Sequence, residues 1–249
     1  MKKIIAIIII VGLIGFGSGY YCPKKITPGD LISYYSDTDI SRITSSQLKH
    51  CSNPYVESVW ENLIPKNKGS NVVVLSTSGS FYTNHRKNLH IATAIGLILA
   101  KKSESPFSNC IISHNSDLEI INVGKLLLGG IKSISNIQDN SSIDLVQLFQ
   151  LVGSQNRQII VISHLEFSYS NKQIKELTEI RQIWGDRCPR LVYINLNSDK
   201  IEFIEINDFI TVVNGFSDKT EFYRELVETD RFNPVNIIES KINAYNVKF

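Results

Sequence analysis

The sequence predicts an α/β fold: a doubly wound, mostly parallel sheet with helices on both faces, preceded by an N-terminal hydrophobic helix. Three observations predict it. Short uninterrupted apolar runs recur, among them VVVL at 72–75, QIIVIS at 158–163, RLVYIN at 190–195 and FITVVN at 209–214. A strand covered on both faces reads as such a continuous run. Segments with apolar residues at helical spacing lie between the runs, the order expected of strands joined by crossover helices. Finally, no charged residue interrupts positions 4–23, which meets the roughly 17–25 residues that a bilayer-spanning helix needs.

That N-terminal stretch opens on Met1-Lys2-Lys3 and runs from Ile4 to Phe16 before the small residues Gly17-Ser18-Gly19. Residues 1–21 therefore form a signal-anchor or a signal peptide, the latter cut after Gly19. The anchor reading makes this a single-pass membrane protein held through residues 4–21, with its N-terminus in the cytosol. The alternative is secretion after cleavage.

Residues 22–53 read as a polar linker with short helices, one starting at Thr27-Pro28-Gly29-Asp30. The main domain spans 54–249. Val56, Val59, Trp60 and Leu63 lie at helical spacing, and 65–70 is a linker. A strand at 71–76 leads to a helix at 87–101, with Leu89, Ala92, Ile95, Gly96 and Leu99 along one side. Strands at 109–113 and 118–123 flank a hairpin-like turn at 114–117. A short helix at 143–152, a strand at 158–163, a charged helix at 172–185 and a strand at 190–195 follow. An extra strand fits 201–206, the last strand 209–214, and closing helices 219–228 and 236–246. No internal repeat is evident.

The chain of 249 residues is 43% hydrophobic, enough for one core of about 200 residues plus the N-terminal element. With 26 basic and 24 acidic residues the net charge is +2. No basic excess points to nucleic acid. Lys101-Lys102 and His85-Arg86-Lys87 read as solvated helix surface. The cysteines are Cys22, Cys51, Cys110 and Cys188. None forms a Cys-x-x-Cys pair, so neither a zinc knuckle nor a thioredoxin-type site is supported. In an exported domain Cys22 and Cys51 can pair, and Cys110 reads as a small core residue. The single sequon, Asn140-Ser141-Ser142, matters only for a lumenal domain.

Several local strings occur in a suggestive order. They are Val59-Trp60, Ser76-x-Ser78-x-Ser80, Ile95-Gly96-Leu97, Glu104-Ser105-Pro106-Phe107, the run from Ile162 to Phe167, and Asn214-Gly215-Phe216-Ser217. With them the chain resembles a von Willebrand factor A (vWA) domain over about residues 55–230. It is most similar to the vWA-like C-terminal half of a family of unknown function from plants, fungi, protists and giant viruses. The resemblance implies a Rossmann-like sheet and a divalent-metal site at its carboxyl edge, where the first strand ends in Asp-x-Ser-x-Ser. In this chain the first aspartate falls at Ser76 and the two serines at Ser78 and Ser80. The metal-contacting threonine falls at Ile143, or at Ser142 if the alignment slips by one, and the final aspartate at His164. Two carboxylates are thus replaced. A hard cation wants a charged oxygen cage, so the resemblance implies a degenerate site, with no metal and no other cofactor.

The altered loop sits where a helix begins at the carboxyl end of a central strand, the usual ligand crevice of an open α/β sheet. Ser78, Gly79, Ser80, His85, Arg86, Asp144 and Glu166 are its candidate partner or anion contacts. The bland alternative is a retained tight loop with satisfied hydroxyls, and a plain hydrogen-bonded His164. The leading expectation is a non-enzymatic, membrane-tethered module that binds an unidentified protein. A second is a metal-dependent adhesion module using Ser78, Ser80, Asp144 and Glu166. A third, a hydrolase, is disfavoured because position 76 lacks the first glycine of a Gly-x-Ser-x-Gly elbow. No phosphate-loop string is present.

Overall fold

The computed structural model describes residues 28–36, 43, 46–76, 86–114, 117–135, 143–155, 157–197, 202–215 and 226. The apolar runs become strands: β1 (Asn71–Leu75), β2 (Cys110–His114), β3 (Leu118–Asn122), β4 (Gln158–Ser163), β5 (Arg190–Asn195), β6 (Glu202–Asn207) and β7 (Ile210–Asn214). They form one seven-stranded sheet in the order β3-β2-β1-β4-β5-β7-β6. The five inner strands are parallel. The two outer ones are antiparallel because each is joined to its neighbour by a short hairpin connection, whereas parallel neighbours need a crossover.

Every residue of β1 and of β4 is buried, as continuous apolar runs require. Alternate side chains serve two separate cores. Val73, Leu75, Ile160, Ile162, Val192 and Ile194 face one. Val72, Val74, Ile159, Val161, Leu191 and Tyr193 face the other. The first is covered by α1 (Pro28–Ser36), α3 (Pro54–Leu63), α4 (Arg86–Lys102) and α5 (Leu127–Ser135), with α2 (Leu48–Cys51) packed at its margin. The second is covered by α6 (Leu145–Val152) and α7 (Asn171–Trp184), which ends in a 3-10 turn at Gly185–Arg187. Helices therefore lie on both faces of a mostly parallel sheet.

Three features depart from the expectations above. Helix α1 buries Leu31, Ile32 and Tyr35 in the first core, although its segment reads as polar. Helix α5 has no counterpart in the sequence reading. Lys101 and Lys102 are buried, not solvated. The Lys101 ammonium donates to the carbonyls of Gly124 and Lys125, and Lys68 donates to the Lys101 carbonyl at 2.7 Å. Burial pulls the Lys101 pKa down, and the charges of Glu57 and Glu61 oppose that shift.

The helices expected at 219–228 and 236–246 lie outside the described residues, except Leu226, which is helical and buried. Residues 4–21, Cys22 and the sequon at Asn140 also lie outside them. Among the described residues no helix is long and apolar enough to cross a membrane.

Candidate functional site

Strands β1 and β4 are neighbours in space but not in sequence. From β1 the chain goes on to β2 on one side, and from β4 to β5 on the other. This reversal leaves a crevice beyond the carboxyl ends of the two strands, the place where open α/β sheets bind ligands. The final rung there is polar. Ser76 follows the Leu75–Ile162 pair, and Ser163, Asn195 and Asn214 lie side by side across β4, β5 and β7.

These polar groups hold their own loops. The Ser163 hydroxyl accepts the Leu165 amide at 3.0 Å. Asn195 Oδ1 accepts the Asn197 amide at 2.9 Å, and its Nδ2 donates to Asn214 Oδ1 at 3.3 Å. Such bonds to an amide two residues on are the usual way Ser and Asn stop a strand. The Ser76 amide donates to the Ile162 carbonyl at 3.0 Å, and Leu196 donates to Ser163. Asn88, in the first turn of α4, donates its side-chain amide to the Leu196 carbonyl at 3.0 Å.

The expected site residues separate into groups. Ser76 and His164 lie just beyond the paired ends of β1 and β4, and both are buried, His164 at 4% exposure. Ile143 packs among the apolar side chains of the second core. Asp144 is the N-cap of α6, and its Oδ1 accepts the amides of Val146 and Gln147 at 2.9 and 3.1 Å. Glu166 is exposed. Arg86 is the first residue of α4. Ser78, Gly79, Ser80, His85 and Ser142 lie outside the described residues. Among the described residues no group of three His, Cys, Asp or Glu side chains is arranged to hold a metal ion.

The loop from His164 to Ser170, in which the sequence reading singles out His164 and Glu166, follows the carboxyl end of β4. Its backbone is held near its two ends, at Leu165 and at Ser170. Ser163 caps its start, and the Tyr193 hydroxyl donates to the Leu165 carbonyl at 3.1 Å. A reciprocal capping box between Ser170 and Gln173 closes it at the start of α7. The Phe167 ring lies 4.9 Å from Tyr193 and 5.2 Å from Tyr169, tilted against both. Leu165 and Tyr169 remain 36% and 41% exposed. The signal available in the sequence was the alternation Leu165-x-Phe167-x-Tyr169 continuing past the end of a strand.

No family model matches the chain, and no curated protein matches it. Twelve chains of solved structures do. One is the crystal structure of the Deinococcus radiodurans RO (RSR) protein, at 14% identity and a TM-score of 0.50. The match covers 71% of this chain and 37% of that one, so this chain spans little more than a third of its length. At that identity the likeness shows the fold alone: a mixed α/β sheet with helices.

Proposed function

We propose that this protein is a non-enzymatic, membrane-tethered protein-interaction module built on a vWA-like scaffold whose metal site is degenerate. The α/β sheet with helices on both faces supports the scaffold, and the uncharged run at 4–21 supports the tether. One observation carries the functional part. Of the five positions where the resemblance expects metal ligands, Ser78 and Ser80 keep their hydroxyls, whereas Ser76, Ile143 and His164 replace the expected residues, and Ile143 is packed in an apolar core. Those residues do not fit a hard divalent cation, which needs anionic oxygens. Asp144 is a poor substitute ligand because its carboxylate caps α6. What is left at this edge is a surface, and the loop at 164–170 exposes Leu165, Glu166 and Tyr169 there to a protein partner.

The test is thermal unfolding of the full-length protein in detergent, first with EDTA and then with millimolar magnesium or manganese. A cation that binds only the folded state must raise the midpoint. The expected result is an unchanged midpoint. A rise of several degrees would replace this reading with metal-dependent adhesion.

A further inference from the structure

Helix α5 follows the outer strand β3 and is held by groups that other elements supply. Its first two amides, those of Leu127 and Leu128, donate to the Glu57 carboxylate of α3 at 2.7 and 3.2 Å. The Lys101 ammonium of α4 donates to the carbonyls of Gly124 and Lys125, in the link that leads into the helix. From α5 itself, Lys132 donates to the Ile43 carbonyl. None of these bonds is local: the partners lie 23 to 89 positions apart in the chain.

The helix alone is weak. It has nine residues, fewer than the roughly 12–15 at which an isolated helix becomes even marginal in water. Two of them are the adjacent Gly129 and Gly130, and glycine is the poorest helix former after proline. Gly130 has a packing reason, because a Cβ there would lie 2.6 Å from Leu97 Cδ2. Gly129 has none, since a Cβ there would meet Leu48 Cδ1 at 3.8 Å and Leu126 Cβ at 3.9 Å, both ordinary contacts. The softness at 129 is therefore not required by the fit of the helix. Ahead of the helix, Gly124 stands at φ +65°, in the left-handed region that glycine adopts freely, with open space where a Cβ would be. A pivot thus adjoins the helix, and Lys101 holds the carbonyl of that pivot.

Burial of Leu127, Leu128, Ile131 and Ile134 seats α5 on the first core. The backbone entropy that its residues regain on release opposes that burial. Strands β1 and β4 differ: they are buried throughout and paired on both sides, so they open only with the whole sheet.

We infer that α5 is a latched cover, which detaches and redocks as one unit while the sheet stays folded, pivoting at Gly124 and held shut by Glu57 and Lys101. What it uncovers is the apolar seat around Leu97 on α4. This device is independent of the interaction-module reading.

The experiment is amide hydrogen exchange of the full-length protein in detergent, resolved by residue over a urea series. The α5 amides are expected to share one opening constant, about tenfold or more above that of β1 and β4, with a shallower dependence on urea because a local opening exposes less surface. Gly129→Ala should slow exchange in α5 by about fivefold. Gly130→Ala adds the same helix propensity but should speed exchange, because its Cβ meets Leu97. Glu57→Gln should speed it by about tenfold. Wild-type α5 amides with the opening constant and urea dependence of β4 would overturn the cover, and that comparison needs no variant. Unchanged α5 exchange in both Glu57→Gln and Lys101→Met would overturn the latches. Equal slowing by both glycine substitutions would overturn the seat at Leu97.

Discussion

Glu57 shows how much a single side chain can decide. It is buried on α3, and its carboxylate accepts the amides of Leu127 at 2.7 Å and Leu128 at 3.2 Å. Those are otherwise unsatisfied donors at the start of α5, where the helix dipole also favours a negative charge. Hydrogen bonds to a charged group contribute about 1.5–3 kcal/mol. Glu57→Ala is expected to lower stability by about 2–3 kcal/mol in urea unfolding, and Glu57→Gln by less, since an amide oxygen keeps one acceptor. Tyr35 sits nearby, and its hydroxyl accepts the Asn53 amide at 2.8 Å. Burial raises its pKa from 10.0 to about 12, with the Glu57 charge adding to the rise and the Asn53 bond opposing it. A phenol whose folded pKa is raised adds stability below its unfolded pKa and loses it as pH climbs through the folded value. Wild-type protein should therefore lose stability between pH 10 and 12, and Tyr35→Phe should flatten that fall. Lys101 works in the opposite sense, because its lowered pKa leaves the unfolded chain holding more protons below 10.5. The Tyr35 effect is accordingly the difference between the two unfolding curves.

At the scale of elements, α5 explains why local reading fails where packing decides. Its sequence LLGGIKSIS contains adjacent glycines, each costing about 1 kcal/mol of helix propensity. In the fold that cost is offset by close approach. A Cβ at Gly130 would lie 2.6 Å from Leu97 Cδ2 and 3.4 Å from the Val123 carbonyl oxygen. Gly96 in α4 differs, since a Cβ there meets Ile111 Cδ1 at 3.6 Å, an ordinary contact. Alanine gains the same helix propensity at both sites, so the difference between them isolates packing. Gly96→Ala is expected to be more stable than Gly130→Ala by about 1–3 kcal/mol in chemical denaturation. The strand ends teach the complementary lesson. The abundance of Asn and Ser in this chain has a structural use: Asn122, Ser163, Asn195 and Asn207 each accept an amide two residues on. That chemistry is legible in sequence once the strand ends are known.

For the molecule as a whole, the N-terminal helices complete the first core. Leu31, Ile32, Tyr35, Val56 and Trp60 share that cluster with α4 and the sheet, Trp60 at 0% exposure. Removing one large buried side chain costs about 2–5 kcal/mol, against a total stability of about 5–15 kcal/mol. Deleting residues 1–21 is therefore expected to yield a folded, monodisperse protein, whereas deleting 1–63 should yield aggregate, as read by size-exclusion chromatography and circular dichroism. The sheet margins are guarded in the usual way. Ile120 and Ile204 are exposed on the outer strands, but Glu119, Glu202 and Glu205 flank them and discourage strand addition.

The sequence by itself determined the strands, the burial of β1 and β4 on both faces and the alternation with helices. Each of these is written in local composition or in a string of neighbouring residues. Only the tertiary structure decided the order of the strands, the helicity of α5, the burial of Lys101 and Lys102, and the bond from the Tyr193 hydroxyl to the Leu165 carbonyl. These depend on contacts between residues distant in the chain, such as the 70 positions separating Glu57 from Leu127. Local periodicity tells a side chain which way to face, but not which distant group will meet it there.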